Sequence, residues 1–419
     1  FKVALSQVKP QLDELFVCGV NHLSYHGITY SPPNATFPGW LFYASTNFGP
    51  FSHFWKSLPE LNNYVANCQQ LLQETRHDNE ILIYFPINDS WTKPGEQKLI
   101  MFDVHGYNLK NSSMTTLAEN LAKEGYGFDY ISDKQLTNFK FENTPYKCLI
   151  IPSTNYIPVE TLNHILAIAS KGIPVLFLNG YPRSTASFYN YLENEELLDA
   201  LKTKLNRSKT VKITKDIIAS LTQLNLKKEE LAGKGLSYIR KTDKEGNYLY
   251  FISNLSNEFN QDTITFGVKG ESIEYIDPLR GDKGFIKSHL FNNNIKAFLK
   301  IEPGSSAFIK VYLQKQKEIN LYKFADFKNV MKIKGKWKLK FLEGAPIVPQ
   351  SYVTDTLISW TAAPDTFARY FSGTCRYTLK FDIKDTKINL GKANGLNLGD
   401  IRETAIVSIN GKKIGNVWC

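Results

Sequence analysis

Between Leu15 and Trp55 the sequence carries no Asp, Glu, Lys or Arg. The same stretch holds ten aromatic residues from Tyr25 to Trp55 and three of the seven histidines, His22, His26 and His53. Aromatic faces interleaved with neutral hydrogen-bonding groups suit a ligand that itself presents apolar faces and hydroxyls, such as a sugar. The competing reading of this composition is a loop packed against a large neighbouring domain. His22 and His26 lie four apart, and on a strand i and i+4 share a face. Both could then hydrogen-bond sugar hydroxyls or orient a carboxylate, although His22 reads equally as a satisfied core histidine. Trp40, Tyr43 and Trp55 offer stacking surfaces, or packing for the loop itself. The segment has no acid–base group of its own. Asp13 and Glu14 precede it, on a predicted helix whose surface they are expected to occupy. With no acidic cluster nearby, no metal ligand is assigned.

The elements that would hold these residues can be read from periodicity. Ser6 to Phe16 fits a helix with Leu12, Leu15 and Phe16 on one face, closed by Cys18-Gly19. Val20 to His26 then reads as a buried strand ending at Gly27. Helix, turn, strand and long loop is the grammar of a (β/α) barrel, in which strand C-terminal ends carry the site. Leu58 to Gln73 is a second amphipathic helix. From Glu80 short apolar strands (Ile81–Phe85, Gly127–Ile131, Cys148–Ile151, Pro174–Leu178) alternate with helices (Thr115–Glu124, Val159–Lys171, Ser187–Leu201), which predicts a parallel sheet covered on both faces. No glycine-rich phosphate motif follows any of these strands. Cys148 begins its strand instead of standing on an elbow after it, so this region is not expected to be catalytic. Beyond Asn225 the pattern turns to β. A hairpin is signalled at Tyr238–Lys241 and Tyr248–Ile252, with strands at Thr263–Val268, Ser272–Ile276 and Ser306–Tyr312. From Gly335 a second all-β region ends in the Asn410-Gly411 hairpin between Ala405–Ile409 and Lys413–Trp418.

The chain has 419 residues, 42% of them hydrophobic and 21% charged, which excludes a disordered chain. No apolar run reaches the ~18–20 residues of a membrane helix. The formal net charge is +10, yet the first hundred residues hold six basic against eight acidic side chains, so the surplus lies beyond them. Lys310 to Lys340 contains ten Lys and two acids. The alternation from Met331 to Phe341 reads as an edge strand with one solvated lysine face, and no nucleic-acid-binding motif accompanies it. Five widely spaced cysteines (Cys18, Cys68, Cys148, Cys375, Cys419) without a CxxC pair argue against a disulfide framework and a structural zinc site. Cys18 and Cys148 are expected to be inert core thiols. The chain begins at Phe1 and ends at Cys419 directly after a strand-like run, and so reads as a piece of something longer.

Two stretches carry a family resemblance. Val8–Gly27, with Pro38–Ser45 and Leu61–Tyr64, resembles the end of the catalytic barrel of glycoside hydrolase family 106, the α-L-rhamnosidases. Gly335–Trp337, Gly373–Tyr377, Asn389–Gly391 and Ala405–Gly411 through Trp418 resemble the jelly-roll sugar-binding domain of β-galactosidase-like enzymes, also found at the C-terminus of these rhamnosidases. The middle of the chain resembles the flavodoxin-like, amidotransferase-like accessory domain of large glycosidases. The implied fold is multidomain α/β plus all-β. Residues 1–76 would end a (β/α)8 barrel, 77–225 form a flavodoxin-like domain, 226–330 an antiparallel β domain, and 331–419 an incomplete galactose-binding-like jelly roll. The resemblance further implies removal of terminal α-L-rhamnose from plant-type polysaccharides or glycosides with inversion. Inversion needs an acid and a base about 6.5–9.5 Å apart, and these are expected upstream of Phe1. A carbohydrate is the implied partner, in a periplasmic or secreted setting, and calcium can be required by the complete enzyme. Two other readings stay open: a β-galactosidase-type hydrolase sharing the jelly roll, and a non-catalytic carbohydrate-binding protein.

Overall fold

The computed structural model describes residues 3–36, 38–92, 109, 112–142, 144–317, 320–324, 332–382, 395–399, 401 and 403–418. The segment Asn389–Gly391, Met331 and Cys419, all singled out in the sequence, lie outside these. Two compact units emerge, one formed by Phe1–Lys9, His22–Val65 and Lys323–Cys419, the other by Pro10–Asn21 and Ala66–Tyr322.

Helix α1 (Leu5–Val17) ends in a Schellman arrangement. Gly19 takes φ +93°, its N–H donates to Phe16 O, and Val20 N–H donates to Leu15 O. The chain then leaves the helix, but the strand expected at Val20–His26 does not form. Residues 20–30 run with even-numbered side chains exposed and odd-numbered ones half-buried, and among the described residues no strand pairs with them. An alternating pattern makes a strand only where a neighbour completes the hydrogen-bond ladder. After the aromatic segment comes α2 (Leu58–Gln73), as its heptad-like apolar spacing predicts, with Leu61, Val65, Cys68 and Leu72 buried. Asp13 corrects the surface assignment made for it. It is fully buried and accepts a hydrogen bond from Ser253 Oγ (3.1 Å), whereas Glu14 is exposed. Cys18 is exposed, not a core thiol; Cys148 is buried, as expected.

In the second unit a two-residue strand β1 (Arg76–His77) precedes β2 (Ile81–Tyr84), α3 (Ile87–Trp91), α4 (Ser113–Lys123), β3 (Phe128–Ile131), α5 (Asp133–Asn138), β4 (Cys148–Ile151), β5 (Tyr156–Ile157), α6 (Val159–Ser170), β6 (Val175–Leu178), β7 (Ser184–Thr185), α7 (Tyr191–Asn206), β8 (Val211–Thr214) and α8 (Ile217–Gln223). Five of these strands form a parallel sheet in the order β3-β2-β4-β6-β8. That is the 2-1-3-4-5 order of flavodoxin-type doubly wound sheets. Alternate residues of β2 enter opposite cores: Leu82 and Tyr84 pack with α6 and α7, Ile81 and Ile83 with α4 and α8. Helix α7 starts at Tyr191, four residues later than its sequence suggests, because Asn190 sits in the left-handed region (φ 50°) and the preceding residues are tied in a loop.

Strands β9 (Ser237–Thr242), β10 (Tyr248–Ser253), β11 (Asn260–Phe266), β12 (Ser272–Ile276), β13 (Lys283–Ile286), β14 (Ser288–Phe291), β15 (Asn294–Ile301) and β16 (Ser306–Tyr312) build two antiparallel sheets, β1-β9-β10-β16-β12-β13 and β11-β15-β14. In the first unit, β17 (Trp337–Ala345), β18 (Tyr352–Thr354) and β19 (Ser372–Thr378) make a sheet over a small core of Phe341, Ala363, Ala368 and Phe371. Lys338 and Lys340 do face solvent while Leu339 and Phe341 are buried. However, β17 lies between β18 and β19, so these are not edge-strand lysines. The last hairpin, β20 (Thr404–Ile409) and β21 (Lys412–Trp418), turns at Asn410-Gly411 with both φ positive, the backbone that a type I′ turn demands.

Candidate functional site

The charge-free segment folds on itself. Gly27 O accepts from Phe48 N–H (3.2 Å), the Tyr25 ring stacks on Phe48 (centroids 4.7 Å, 23°), and Phe48 in turn meets Phe54. Thr29 Oγ1 donates to Trp40 O (2.7 Å) while Ser31 Oγ accepts from Trp40 N–H (2.9 Å), fixing the Trp40 backbone from both sides. Asn47 Oδ1 accepts from Phe42 N–H (3.1 Å), and Ser52 Oγ donates to Asn47 O. These bonds use side chains with no charge to desolvate, which is why the segment can close without a carboxylate or an ammonium.

Closure leaves two adjoining cavities that share Ile28 and Thr29. The smaller, about 290 Å³, is lined by Tyr25, His26, Gly27, Ile28, Thr29 and Phe42. The larger, about 440 Å³, has Trp40, Leu41, Tyr30 and Phe51 among its apolar walls and Ser31, Asn47 and Ser52 among its polar ones. Among the described residues no Asp, Glu, Lys or Arg lines either. His26 borders the smaller cavity, its ring edge-on to Phe42 (5.1 Å, 87°) at the cis His26–Gly27 peptide. His22 is on the same side of the extended chain, exposed, and lines neither cavity. Trp40 is 62% exposed at the larger cavity, Tyr43 stands almost fully in solvent, and Trp55 opens a 3₁₀ turn (Trp55–Ser57); the last two line neither cavity. Of the five residues singled out from sequence, then, only His26 and Trp40 come to the cavities.

Tyr25 and Thr29 were not picked out. Tyr25 Oη is buried without a hydrogen-bond partner among the described residues, and burial raises its pKa. Its sequence signal, an aromatic one residue before the favoured histidine, is lost among nine other rings. His53 turns to Glu403 (Nε2–Oε2 3.3 Å); partial burial lowers its pKa against the opposing pull of that carboxylate. Nearby ion pairs, Lys56 with Glu343 and Lys413 with Glu60, join the end of the segment and the start of α2 to the β strands of the same unit. No group of three His, Cys, Asp or Glu converges as a metal cage among the described residues.

Doubly wound folds bind ligands at the strand ends next to the switch point. There the turn amides of Asn155 and Tyr156 donate to the Asp89 carboxylate (2.8–3.0 Å), so the protein's own anion fills the cradle. Burial pushes the Cys148 thiol up to about 12, which removes the thiolate that a nucleophile needs.

A family model for alpha-L-rhamnosidase, glycoside hydrolase family 106, matches residues 1–289. The chain belongs to the family 106 α-L-rhamnosidases. Among solved structures it is similar to a rhamnosidase from Novosphingobium sp. PP1Y (TM-score 0.74, 19% identity), over 99% of this chain and 40% of that one. At this identity the likeness establishes the fold, a mixed α/β architecture with a parallel sheet and several antiparallel sheets. A Formosa agariphila protein named "Putative beta-glucuronidase" is 23% identical over 283 residues, 64% of this chain and 22% of that protein. The family 106 chain thus spans well under half the length of either relative. No helix among its described residues is long and apolar enough to cross a membrane.

Proposed function

We propose that this chain is part of an inverting glycoside hydrolase that removes terminal α-L-rhamnose from plant-type polysaccharides or glycosides, and that residues 20–57 form one wall of its sugar pocket. The observation that carries the reading is the pair of uncharged, aromatic-lined cavities at His26 and Trp40. L-Rhamnose is a neutral 6-deoxy sugar. Its methyl group and ring faces suit Ile28, Leu41 and Trp40, and its hydroxyls suit His26, Thr29 and Asn47. A glucuronide, which the name of the Formosa agariphila relative brings to mind, calls for a cation at its carboxylate, and no Lys or Arg is among the described residues that line the cavities. In this reading His26 hydrogen-bonds a sugar hydroxyl and Trp40 stacks on the ring, while His22, Tyr43 and Trp55 meet the part of the glycan beyond it.

Hydrolysis with inversion needs one carboxyl group to protonate the leaving oxygen and another to activate a water on the opposite face. Both must come from residues other than those lining these cavities. The reading also has residues 1–76 closing a (β/α)8 barrel, residues 331–419 forming a galactose-binding-like jelly roll, and the enzyme acting in the periplasm or outside the cell. Because no carboxylate lines the cavities, a non-catalytic carbohydrate-binding protein is the second reading. In the active hydrolase, His26→Ala is expected to lower kcat/KM for an aryl α-L-rhamnoside at least tenfold with little change in melting temperature. The released sugar should appear first as the β anomer by NMR. Unaltered kinetics would make His26 structural, and initial release of the α anomer would rule out inversion.

A further inference from the structure

Charge returns to the sequence at Lys56, the first Asp, Glu, Lys or Arg after Glu14. At that point three side chains reach the C-terminal β strands of the same unit. His53 meets Glu403, the residue before β20 (Nε2–Oε2 3.3 Å); Lys56 meets Glu343 on β17; Glu60, in the first turn of α2, meets Lys413 on β21 (2.9 Å). The pairs run in both senses, since Lys56 brings a cation and Glu60 an anion. A slip that carried Glu60 towards Glu343, or Lys56 towards Lys413, would oppose like charges. Solvent-exposed pairs of this kind each contribute only about 0–1 kcal/mol to stability; what a mixed set supplies is register. Two of the partners stand on unusual backbone. Glu343 sits at the bulge where the β17–β19 register shifts, opposite Thr374, and a bulge re-aims the side chain it carries. Gly344 and Gly373 pair directly beside it, and a Cβ on either would stand 2.7 Å from the Cα of the other. Glu403 takes φ +69°, uncommon for a residue other than glycine. On the other side of the pairs lie the cavities. His53 follows Ser52, which lines the larger cavity and donates to the carbonyl of Asn47, another lining residue. The His53 ring meets buried Phe54 edge-on (5.2 Å), Phe54 meets Phe48 (5.7 Å), and Phe48 stacks on Tyr25 (4.7 Å), which lines the smaller cavity. Close-packed rings pass a displacement on instead of absorbing it.

We infer that His53, Lys56 and Glu60 are positioning residues, through which the C-terminal β strands set the placement of Asn47, Ser52 and Tyr25 and hence the affinity of the cavities for their ligand. The inference rests on the sugar reading of the cavities for the identity of that ligand. The coupling of the charge pairs to the cavity walls does not depend on it, so the two can be tested separately.

The test is charge exchange in the full 419-residue chain, read by titration with L-rhamnose and by backbone amide NMR without sugar. Lys56→Glu and Glu343→Lys should each weaken L-rhamnose binding about three- to tenfold. Each should also shift the amides of Tyr25, His26, Asn47 and Ser52, while the melting temperature falls by no more than a few degrees. The double exchange, Lys56→Glu with Glu343→Lys, should recover most of the affinity and return the amides. Glu60→Lys and Lys413→Glu should behave in the same way, singly and together, and Glu403→Gln should move the same amides. Lys171→Glu breaks an equally exposed pair with Glu142 in the other unit and should change neither readout. If a reversal unfolds the chain, Lys56→Gln removes the attraction without adding repulsion and should still move these amides. Where the unaltered chain binds L-rhamnose, single exchanges that leave its affinity unchanged, a double exchange that fails to recover it, or an equal effect of Lys171→Glu would each overturn the inference and leave the sugar reading standing. Where the unaltered chain binds no L-rhamnose, the sugar reading falls and the amides decide: recovery in the double exchange keeps the coupling, and its absence overturns it.

Discussion

At Gly39 the backbone takes φ +79°, and a Cβ added there would lie 2.6 Å from Ser31 Oγ and 2.9 Å from the Phe51 ring. Ser31 Oγ is the acceptor that holds Trp40 N–H, so the glycine, the serine and the stacking candidate form one unit. Gly39→Ala must strain the backbone and push Ser31 aside. It is expected to cost about 1–2 kcal/mol or more and to weaken sugar binding at the larger cavity, read by thermal melting and titration. Tyr25 makes the opposite case. A buried hydroxyl without a partner is a liability of about 1–3 kcal/mol, so Tyr25→Phe should leave the melting temperature unchanged or raise it. A clear fall would reveal a partner for Oη.

Among the elements, the second unit is pinned by one buried guanidinium. Arg240 on β9 donates from Nε to Asp78 Oδ2 (2.7 Å) and from Nη2 to Asp78 O (2.9 Å), and pairs through Nη1 with Glu229. Glu229 also accepts from Tyr250 Oη and from Gly267 N–H, while Glu80 accepts from Lys227 N–H. Arg240→Ala would leave the buried Glu229 carboxylate without its cation and Asp78 with Lys227 alone (Nζ–Oδ2 2.8 Å), and should destabilise this unit by about 3–5 kcal/mol in denaturant unfolding. On the neighbouring β1, burial and then Lys241 hold the His77 imidazole below its ordinary 6.5, against the pull of Asp129. A folded pKa below the unfolded one means that the unfolded chain binds more protons below about pH 6.5, so stability falls as pH drops through that value and is flat above it. Melting followed from about pH 7.5 to 5.5 should show this slope, and His77→Gln should flatten it.

Such elements were legible where local pattern and final environment agree. Ser272–Ile276 and Ser306–Tyr312 are strands over the residues their alternation marks, and Asn410-Gly411 turns as its residue types require. Val211–Thr214 was missed because it is an outer strand of the parallel sheet, with a half-exposed sequence that lacks the apolar run of its neighbours. Val20–His26 misled for the converse reason, an alternating pattern without a paired neighbour. Asp13 could not be read at all. Its burial depends on Ser253, 240 residues away, and no local periodicity carries that contact. At the candidate site, composition marked a neutral, ring-rich segment, but it could not say which rings line a cavity, which follows from how the segment folds through the Thr29, Ser31 and Asn47 hydrogen bonds.

For the molecule as a whole, the net charge of +10 and the candidate site are separate matters, since no Asp, Glu, Lys or Arg is among the described residues that line the cavities. If the two carboxylates of an inverting hydrolase come from other residues, the 419-residue chain should bind sugar without turning over an aryl α-L-rhamnoside. Clear hydrolysis by the purified chain would place an acid–base pair within it. The central claim, that the charge-free segment is the sugar-binding wall, is tested most directly by NMR titration of the isotope-labelled chain with L-rhamnose. Shift changes should concentrate at Tyr25–Thr29, Trp40–Phe42 and Asn47–Ser52 and disappear in Trp40→Ala. Saturable shifts confined to other residues, or none at all at high sugar concentration, would contradict it.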